Sequence, residues 1–257
     1  MGSSWRFNLE HRTVIITGGG KGIGKVYSQE FARAGAHVVV ADIDCGCAEA
    51  IAETIRAEGH HAISVQTNVA EPGSTREMAR VAIEKFGSID ILVNNASLMS
   101  VLPRRSWLEI PEDEWDRVMA VNLRGLLLCC RAVFASMRDK GRGKIVNISS
   151  SRVWEGNPNR LHYTTSKAGV IGFTRALARE IAEFGITVNA VTPGLTLSDT
   201  QVASSSNNYL AATAAGRAIA RPQVPDDLVA AVMFLSCEAS DFMTGQTINV
   251  DGGKTMH

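Results

Sequence analysis

The sequence predicts an α/β fold with a doubly wound parallel sheet of about seven strands and helices on both faces. Three observations support that prediction. Short β-branched runs alternate along the chain with amphipathic runs long enough for helices, which is the pattern of βαβ units. A glycine-rich turn follows the first strand, and no linker or internal repeat divides the chain. We therefore expect one domain over residues 1–257.

Seven runs have the composition of strands. In chain order they are TVIIT at 13–17, HVVVAD at 37–42, HAISVQ at 61–66, IDILVNN at 89–95, KIVNIS at 144–149, ITVNAVT at 186–192 and QTINVDG at 246–252. The helical runs between them are GKVYSQEFARAG, CAEAIAETIRAEG, STREMARVAIEKFG, a long helix over about 112–138, the run around Tyr163, and a helix over about 225–236. One long irregular stretch, 194–224, is rich in Ala and Ser, and we expect it to be a substrate lid.

Charge and composition exclude several classes of protein. Lys and Arg total 26 and Asp and Glu total 26, so the formal charge is zero and the chain lacks the basic footprint of a nucleic-acid-binding protein. No segment approaches the run of about 18 apolar residues that a transmembrane helix needs. The start, MGSSWRFNLEHR, lacks the apolar core of a signal peptide. We expect a soluble cytoplasmic protein that binds neither a membrane nor nucleic acid.

Metal chemistry is not expected. The five cysteines include no C-x-x-C pair, and the six histidines include no H-E-x-x-H pattern. Neither the spacing of Cys45 and Cys47 nor the adjacent Cys129 and Cys130 suits a zinc finger. We predict no metal site and reduced, structural thiols.

The run TGGGKGIG, from Thr17 to Gly24, follows the first strand and opens the first helix. Glycines there permit a tight turn and let the backbone approach a pyrophosphate, and the helix N-terminus presents free N–H groups. Asp42 ends the second strand 24 residues after Gly18 (42 − 18 = 24), close to the spacing of a carboxylate that binds the adenosine ribose. These features predict a Rossmann-type dinucleotide site. The alternative is a glycine-rich turn that binds nothing.

The pentapeptide YTTSK, at 163–167, holds a phenol and an ammonium four residues apart in a helical run. Residues at i and i+4 lie on the same helix face, so Tyr163 and Lys167 are expected to be neighbours. A nearby ammonium favours the phenolate and lowers the pKa of a tyrosine, which suits a general acid or base. The alternative is a surface helix on which the two side chains merely stack.

These residues are part of a longer set of motifs that resembles the short-chain dehydrogenase/reductase family over nearly the whole chain. The matching residues are Thr17, Gly18, Gly22 and Gly24 of T-G-x-x-x-G-x-G, NNAS at 94–97, Asn122 of VNL, the ISSS run, Tyr163 and Lys167, Pro193 and Gly194, and MTGQTINVDGG near the end. The resemblance implies that Tyr163 and Lys167 of YTTSK take part in catalysis.

The resemblance also implies roles for four catalytic residues. Tyr163 would be the acid/base on the substrate oxygen, and Lys167 would lower its pKa and hold the nicotinamide ribose. Ser150 would hydrogen-bond the reacting oxygen, and Asn122 would relay protons from Lys167 through a water. Ser150 is preferred among the three serines because it precedes Tyr163 by 13 residues (163 − 150 = 13), the family's usual spacing.

The cofactor-binding residues that the resemblance implies lie mostly at the ends of the predicted strands. They are Gly18, Lys21, Gly22, Ile23, Gly24, Asp42, Asn68, Val69, Asn95, Tyr163, Lys167, Pro193, Gly194 and Thr196. The expected cofactor is NAD, because the Asp42 carboxylate would repel the 2′-phosphate of NADP. Lys21 is the contrary signal, since NADP enzymes of the family often carry a basic residue there.

Clues to the substrate are fewer. Ser97 and Asn68 depart from the glycine and Asp that the family usually has, beside the nicotinamide and the adenine respectively. Trp154 could line a pocket for a flat ring or pack at its rim. The Ala, Leu and Val of the expected lid favour a small apolar substrate over a polyanionic one. A local likeness to phenylethanol- and pyridoxal-type dehydrogenases of the family favours a cyclic or aromatic alcohol or carbonyl compound.

Two other functions remain open. One is an NADPH-dependent 3-oxoacyl-thioester ketoreductase, which would need a basic patch for its carrier. The candidates for that patch are scattered along the sequence: Arg104, Arg105, Arg152 and Arg160. The other is a non-catalytic dinucleotide-binding protein, which would be expected to lack the Ser, Tyr or Lys.

The long helix over 112–138 and the Tyr163 helix carry apolar residues over more than one stripe, more than contact with the sheet requires. In the family that the sequence resembles, these two helices pair across a two-fold axis. We therefore expect a homotetramer.

Overall fold

Seven strands form one parallel sheet in the order β3-β2-β1-β4-β5-β6-β7, in a computed structural model that describes residues 7, 9–202 and 213–256. The strands are β1 (Thr13–Thr17), β2 (His37–Asp42), β3 (Ala62–Gln66), β4 (Ile91–Asn94), β5 (Gly143–Ile148), β6 (Ile186–Pro193) and β7 (Thr247–Val250). The order changes direction between β1 and β4. This is the doubly wound parallel sheet that the sequence predicts, and such sheets bind ligands at the carboxyl ends of their strands beside the reversal.

Helices connect the strands close to their predicted positions. They are α1 (Gly22–Arg33), α2 (Cys45–Ala57), α3 (Pro72–Phe86), α4 (Glu112–Met119), α5 (Gly125–Lys140), α6 (Arg152–Glu155), α7 (Leu161–Ile181), α8 (Asp199–Val202) and α9 (Asp226–Ser236). A π-helical turn, Ala120–Arg124, joins α4 to α5, so the predicted long helix consists of three parts and ends at Lys140.

The sheet separates two apolar cores. Along β1, Val14 and Ile16 point to the core that contains Tyr27 and Phe31 of α1, while Ile15 between them points to the core that contains Met137 of α5. This alternation follows from the two-residue period of a strand. Because both faces are covered by helices, all five residues of β1 are buried.

The expected lid, 194–224, is described in part. Thr196 forms a bridge to Gln223, so the two ends of the segment are tied together beside β6. Between them, α8 is described, and residues 203–212 lie outside the described residues. Its function as a lid and the single-domain boundary at 1–257 stay predictions.

By length and composition alone, the helical stretch Glu112–Lys140 could cross a membrane. Its buried residues Cys129, Val133 and Met137 pack in the core of the sheet, as those of an ordinary core helix do, so this is weak evidence for a span. The expected cytoplasmic location stays a prediction. Among residues 7, 9–202 and 213–256, no group of three or more His, Cys, Asp or Glu could hold a metal ion, and the absence of a metal from the reaction also stays a prediction.

Candidate active site

A cavity of about 430 Å³ lies at the carboxyl edge of the sheet. It is lined by the segments that follow β1, β2, β3, β4, β5 and β6. Of the site residues expected from the sequence, all except Gly24 and Asn122 line this cavity. The fold therefore brings together residues that are up to 178 positions apart in the chain (Gly18 to Thr196, 196 − 18 = 178).

Gly24 acts through packing rather than through the cavity wall. A Cβ atom at this position would lie 2.0 Å from the carbonyl oxygen of Gly18, so only glycine allows α1 to start this close to β1. Gly18 itself has φ +63°, a left-handed conformation that favours glycine. Asn95 holds the same turn, since its Nδ2 donates to the carbonyl oxygens of Thr17 at 3.0 Å and Gly18 at 3.1 Å.

Asp42 is 8 % exposed and ends β2 beside the glycine-rich turn. Its Oδ2 accepts a hydrogen bond from the Gly20 backbone N–H at 3.0 Å, and its Oδ1 accepts one from the Asp44 N–H at 3.1 Å. Lys21 lies nearby, but its Nζ is 2.7 Å from Asp44 Oδ2. This hydrogen bond raises the pKa of Lys21 and holds the pKa of Asp44 at about 2. The lysine that could signal NADP is thus already paired with a carboxylate.

The remaining residues assigned to the cofactor follow β3 and β6. The Oδ1 of Asn68 accepts a hydrogen bond from the Ala70 N–H at 3.1 Å, which ties that side chain to its own turn. Gly194 ends the pairing of β6 with β7, because its N–H donates to the Val250 carbonyl at 2.9 Å. Thr196 Oγ1 donates to the Gly194 carbonyl at 3.0 Å. Pro193, Gly194 and Thr196 therefore form one rigid edge of the cavity.

The three consecutive serines after β5 have three different partners. Ser149 Oγ donates to the Lys167 carbonyl oxygen at 2.7 Å, and Ser151 Oγ donates to Glu155 at 2.8 Å. Ser150 lines the cavity with Tyr163, and the interaction of its side chain with the phenol lowers the pKa of Tyr163. Of the three, Ser150 is therefore the serine that meets the tyrosine, as the 13-residue spacing suggests.

Tyr163 and Lys167 lie on one face of α7, and both are buried. The Nζ atom of Lys167 is 5.8 Å from the centre of the Tyr163 ring and donates to the Ile148 carbonyl oxygen at 2.8 Å. The side chain thus reaches from α7 to the end of β5. The alternative of a solvent-exposed helix with two stacked side chains is wrong, because Tyr163 is 6 % and Lys167 2 % exposed.

The pKa of the tyrosine differs from the sequence-based expectation. Burial raises the pKa of Tyr163, and the hydrogen bond from Ser150 and the charges of Arg152 and Arg160 lower it only in part. Burial also lowers the pKa of Lys167 to about 7. The expected lowering of the Tyr163 pKa by Lys167 is therefore not seen, because burial removes much of the charge on the lysine near neutral pH.

Asn122 is fully buried in the π-helical turn and does not line the cavity. Its Oδ1 accepts from the Leu98 N–H at 2.7 Å, and its Nδ2 donates to the Leu98 carbonyl at 3.2 Å and to Ser166 Oγ at 3.1 Å. These bonds fix the segment after β4 against α7. The relay of protons through a water stays a prediction, and the side chain's contacts indicate a positioning role.

Arginines that are scattered in the sequence meet at one end of the cavity. Arg104, Arg152 and Arg160 line it together, and we call these three residues the arginine wall. Arg105 instead pairs with Glu114 at 3.5 Å. The sequence does not predict this grouping because the loop before the Trp107–Glu109 turn reaches the loop before α7 only in the fold, where the Arg105 N–H donates to the Asn159 carbonyl at 3.3 Å.

Several further residues of the site are not apparent from the sequence. Ser198, Thr200 and Lys254 line the cavity. Asp199 Oδ1 accepts from the Gly22 N–H at 2.9 Å, which ties α8 to the glycine-rich turn. Only the position of these residues soon after Pro193-Gly194 or near the chain end could have suggested them.

Trp154 does not line the cavity, and its Nε1 donates to Thr192 Oγ1 at 3.4 Å, which agrees with packing at the rim. Ser97 does line the cavity and is exposed, so the departure from the usual glycine adds a hydroxymethyl group there.

Comparison with known proteins gives the family. The family model for short chain dehydrogenase matches residues 12–209. The chain is 36% identical over 250 residues to the (2S)-[(R)-hydroxy(phenyl)methyl]succinyl-CoA dehydrogenase subunit BbsD of Thauera aromatica, covering 96% of this chain and 98% of the relative. It is 37% identical over 251 residues to a 3-oxoacyl-[acyl-carrier-protein] reductase of Synechocystis, covering 96% and 98%.

A solved structure agrees with these relatives. The crystal structure of a 3-ketoacyl-(acyl-carrier-protein) reductase from Brucella melitensis complexed with NADH has a TM-score of 0.89 and 30% identity, covering 96% of this chain and 100% of that one. The fold, the glycine-rich turn and the grouping of Ser150, Tyr163 and Lys167 agree with the same assignment. The chain therefore belongs to the short-chain dehydrogenase family of oxidoreductases.

Proposed function

We propose that the protein transfers a hydride between a nicotinamide dinucleotide, with NAD preferred, and a small alcohol or carbonyl compound. The observation that carries the proposal is that Ser150, Tyr163 and Lys167 line one cavity together with the dinucleotide-binding turn. An acid/base group, a donor to the reacting oxygen and a cofactor site are the parts that this chemistry requires.

The residues fit a dinucleotide on two observations. Gly18 and Gly24 allow the tight turn that brings the start of α1 against β1, and the backbone N–H groups at the start of α1 suit a pyrophosphate. When bound, the nicotinamide supplies the acceptor or donor for the hydride. In reduction, the carbonyl oxygen would take its proton from the Tyr163 hydroxyl, which burial keeps protonated, so that a carbonyl compound, reduced cofactor and one proton would give an alcohol and oxidised cofactor. In oxidation, the deprotonated form of Tyr163 would take the hydroxyl proton of the alcohol and release it to solvent.

Each catalytic side chain has a separate task in this reaction. Ser150 holds the reacting oxygen next to the Tyr163 hydroxyl, because both side chains line the same cavity and Ser150 acts on the phenol directly enough to lower its pKa. Lys167 is anchored by the Ile148 carbonyl so that its Nζ stays below the tyrosine ring, where it can also hold the nicotinamide ribose. Asn122 keeps the Leu98 backbone, and with it one wall of the cavity, in position.

The preference for NAD rests on Asp42. Its carboxylate is at the end of β2, where it can accept hydrogen bonds from the ribose hydroxyls. A 2′-phosphate there would face this negative charge, at a cost of several kcal/mol. Lys21 does not offset that repulsion, because its charge is paired with Asp44.

A second candidate is an NADPH-dependent 3-oxoacyl-thioester ketoreductase. It is favoured by the 3-oxoacyl-[acyl-carrier-protein] reductases among the relatives and by the arginine wall at one end of the cavity. A non-catalytic dinucleotide-binding protein is disfavoured, because such a protein would have no use for a buried Ser150, Tyr163 and Lys167.

The test is a screen of the purified protein with NAD and with NADP against cyclic, benzylic and aliphatic alcohols, hydroxy acids, and 3-oxoacyl thioesters. The first candidate predicts alcohol-dependent formation of NADH at a higher kcat/KM than of NADPH. A higher kcat/KM for thioester reduction with NADPH than for any alcohol would favour the second. Cofactor binding without turnover of any substrate would reject both.

A further inference from the structure

Arg152 lies directly beside the serine assigned to the reacting oxygen. Its backbone N–H donates to Ser150 Oγ at 3.3 Å, and its side chain lines the cavity. The guanidinium is anchored to the backbone, because its Nη2 donates to the carbonyl oxygens of Asn157 at 2.8 Å and Pro158 at 2.9 Å. One edge of the guanidinium is therefore fixed by the backbone of the loop before α7.

The charge of Arg152 has no counter-ion in the described part of the chain. No carboxylate of residues 7, 9–202 and 213–256 lies within 4.0 Å of it, and its buried Nε has no hydrogen-bond partner there. The nearby acid, Glu155, is occupied by Lys254, Ser151 and Asn157. A partly buried, unpaired cation is unfavourable, and a bound anion would relieve that cost.

A second arginine, Arg160, lines the same cavity. Arg160 is buried and lines the cavity, with Nη2 donating to the Leu102 carbonyl at 2.8 Å. The positive charges of both Arg152 and Arg160 lower the pKa of Tyr163. Both arginines line the same cavity as Tyr163, where they can act on a substrate bound there.

We propose that the substrate carries a carboxylate near its reacting carbon, and that Arg152, in a cavity that Arg160 also lines, binds this carboxylate. The inference rests on the proposed function and names its substrate class as a short hydroxy acid or the matching oxo acid. The planar fork of a guanidinium suits the two oxygens of a carboxylate. The carboxylate orients the carbinol carbon and is unchanged by hydride transfer.

A carboxylate fits this site better than a phosphate or a long acyl chain. The cavity lining also includes the apolar residues Leu98, Met99 and Leu195, and the charge of Arg152, which has no counter-ion in the described part of the chain, suits a single negative charge. The sequence-based expectation of a small, apolar substrate is therefore amended: the substrate is small, with one anionic group at the arginine wall.

The first arm of the test compares matched substrates. The kcat/KM with NAD is measured for short 2-, 3- and 4-hydroxy acids and for their methyl esters, in the wild type and in Arg152→Met and Arg152→Lys. We expect the acid of at least one pair to be preferred over its ester. That preference should fall about 10- to 100-fold in Arg152→Met, as expected for loss of a charge-assisted hydrogen bond, and recover in part in Arg152→Lys.

The matched control is Arg80→Met, because Arg80 is exposed on α3 and paired with Glu77 and Glu84, away from the cavity. It should leave the acid-to-ester ratio at the wild-type value. A wild type that prefers every ester, that prefers a phosphorylated alcohol, or whose ratio is the same in Arg152→Met would overturn the proposal.

The second arm does not depend on turnover. The same hydroxy acids are titrated by calorimetry into NADH-loaded protein, with acetate as the control for a weakly held anion. Binding that is weakened about tenfold or more in Arg152→Met, and stronger than that of acetate, supports the carboxylate site even if no alcohol is oxidised. That result would contradict the proposed oxidoreductase function and leave the carboxylate site supported. If no acid binds more tightly than acetate, the carboxylate site is rejected even where neutral alcohols are oxidised.

Discussion

Lys21 and Asp44 form an ion pair at 2.7 Å beside the carboxylate of Asp42. This ion pair bears on the choice between NAD and NADP, because Lys21 is the cationic residue of the glycine-rich turn. A lysine that is paired with Asp44 is less available to a 2′-phosphate, which is consistent with the proposed preference for NAD.

Asp42→Ala should therefore raise the ratio of kcat/KM for NADP to that for NAD by about 100-fold, because the like charge that repels the 2′-phosphate is removed. The measurement is steady-state kinetics with both cofactors and one working alcohol. Asp44→Ala should also raise the ratio, though less, because it frees Lys21 while Asp42 remains. Equal ratios in the wild type, or no gain for NADP in Asp42→Ala, would show that Asp42 does not set the choice.

Asn122→Ala should lower the free energy of unfolding by about 2 kcal/mol, because it leaves the partly buried Leu98 N–H without its acceptor and also removes the bonds of the buried amide. Urea denaturation followed by circular dichroism measures this change. Ser97→Ala, at an exposed position in the same segment, is the control and should stay within about 0.5 kcal/mol of the wild type. An Asn122→Ala protein as stable as this control would contradict the positioning role.

His37 should make the protein less stable as the pH falls. Burial and the neighbouring His61 and His11 lower the pKa of His37, whereas Asp90 raises it less. Below about pH 6.5 the unfolded chain therefore takes up a proton more readily than the folded chain, and stability is lost until the pH drops below the folded-state pKa.

The replacement His37→Phe keeps the stacking on Phe86 and removes the titrating group. The unfolding free energy of the wild type, measured relative to this variant, should decline between pH 7.5 and about pH 5. A constant difference between the two proteins over that range would rule out the contribution of His37.

The expected homotetramer can be tested at Gly172, on the exposed side of α7. A Cβ there meets no atom of the described chain within 4 Å, so Gly172→Leu fits the single subunit and replaces glycine by a better helix former. If α7 pairs with its copy across a two-fold axis, the added side chain should split the tetramer into smaller species.

Light scattering at micromolar concentration measures the mass in each case. Gly73→Leu, also exposed and without close neighbours at the start of α3, is the control and should leave the mass unchanged. A monomeric wild type, or a Gly172→Leu protein that keeps the tetramer mass, would contradict the prediction.

The fold could be predicted because it follows from local patterns in the sequence. All seven strands lie where β-branched runs predict them, and the ends differ by at most a few residues, as with β4, which is Ile91–Asn94 rather than 89–95. The positions of Tyr163 and Lys167 on one helix face follow from helix geometry alone. Such features depend on residues that are near each other in the chain.

The parts that the sequence does not reveal depend on distant contacts. The meeting of Arg104 with Arg152 and Arg160 needs the loop after β4 to lie against the loop before α7, and no local pattern encodes that approach. Whether the pKa of Tyr163 is raised or lowered depends on burial, which the pentapeptide sequence alone cannot show. The ion pair of Lys21 with Asp44 likewise requires the fold to join two turns.

The most direct test of the catalytic account is Tyr163→Phe, which removes only the hydroxyl group of the proposed acid/base. Steady-state turnover of the best alcohol and binding of the cofactor, followed by fluorescence titration, are measured on the same preparation. The account predicts a loss of at least about 100-fold in kcat, with the dissociation constant of the cofactor nearly unchanged. A variant that keeps more than about a tenth of wild-type turnover would contradict the role of Tyr163 as the proton carrier.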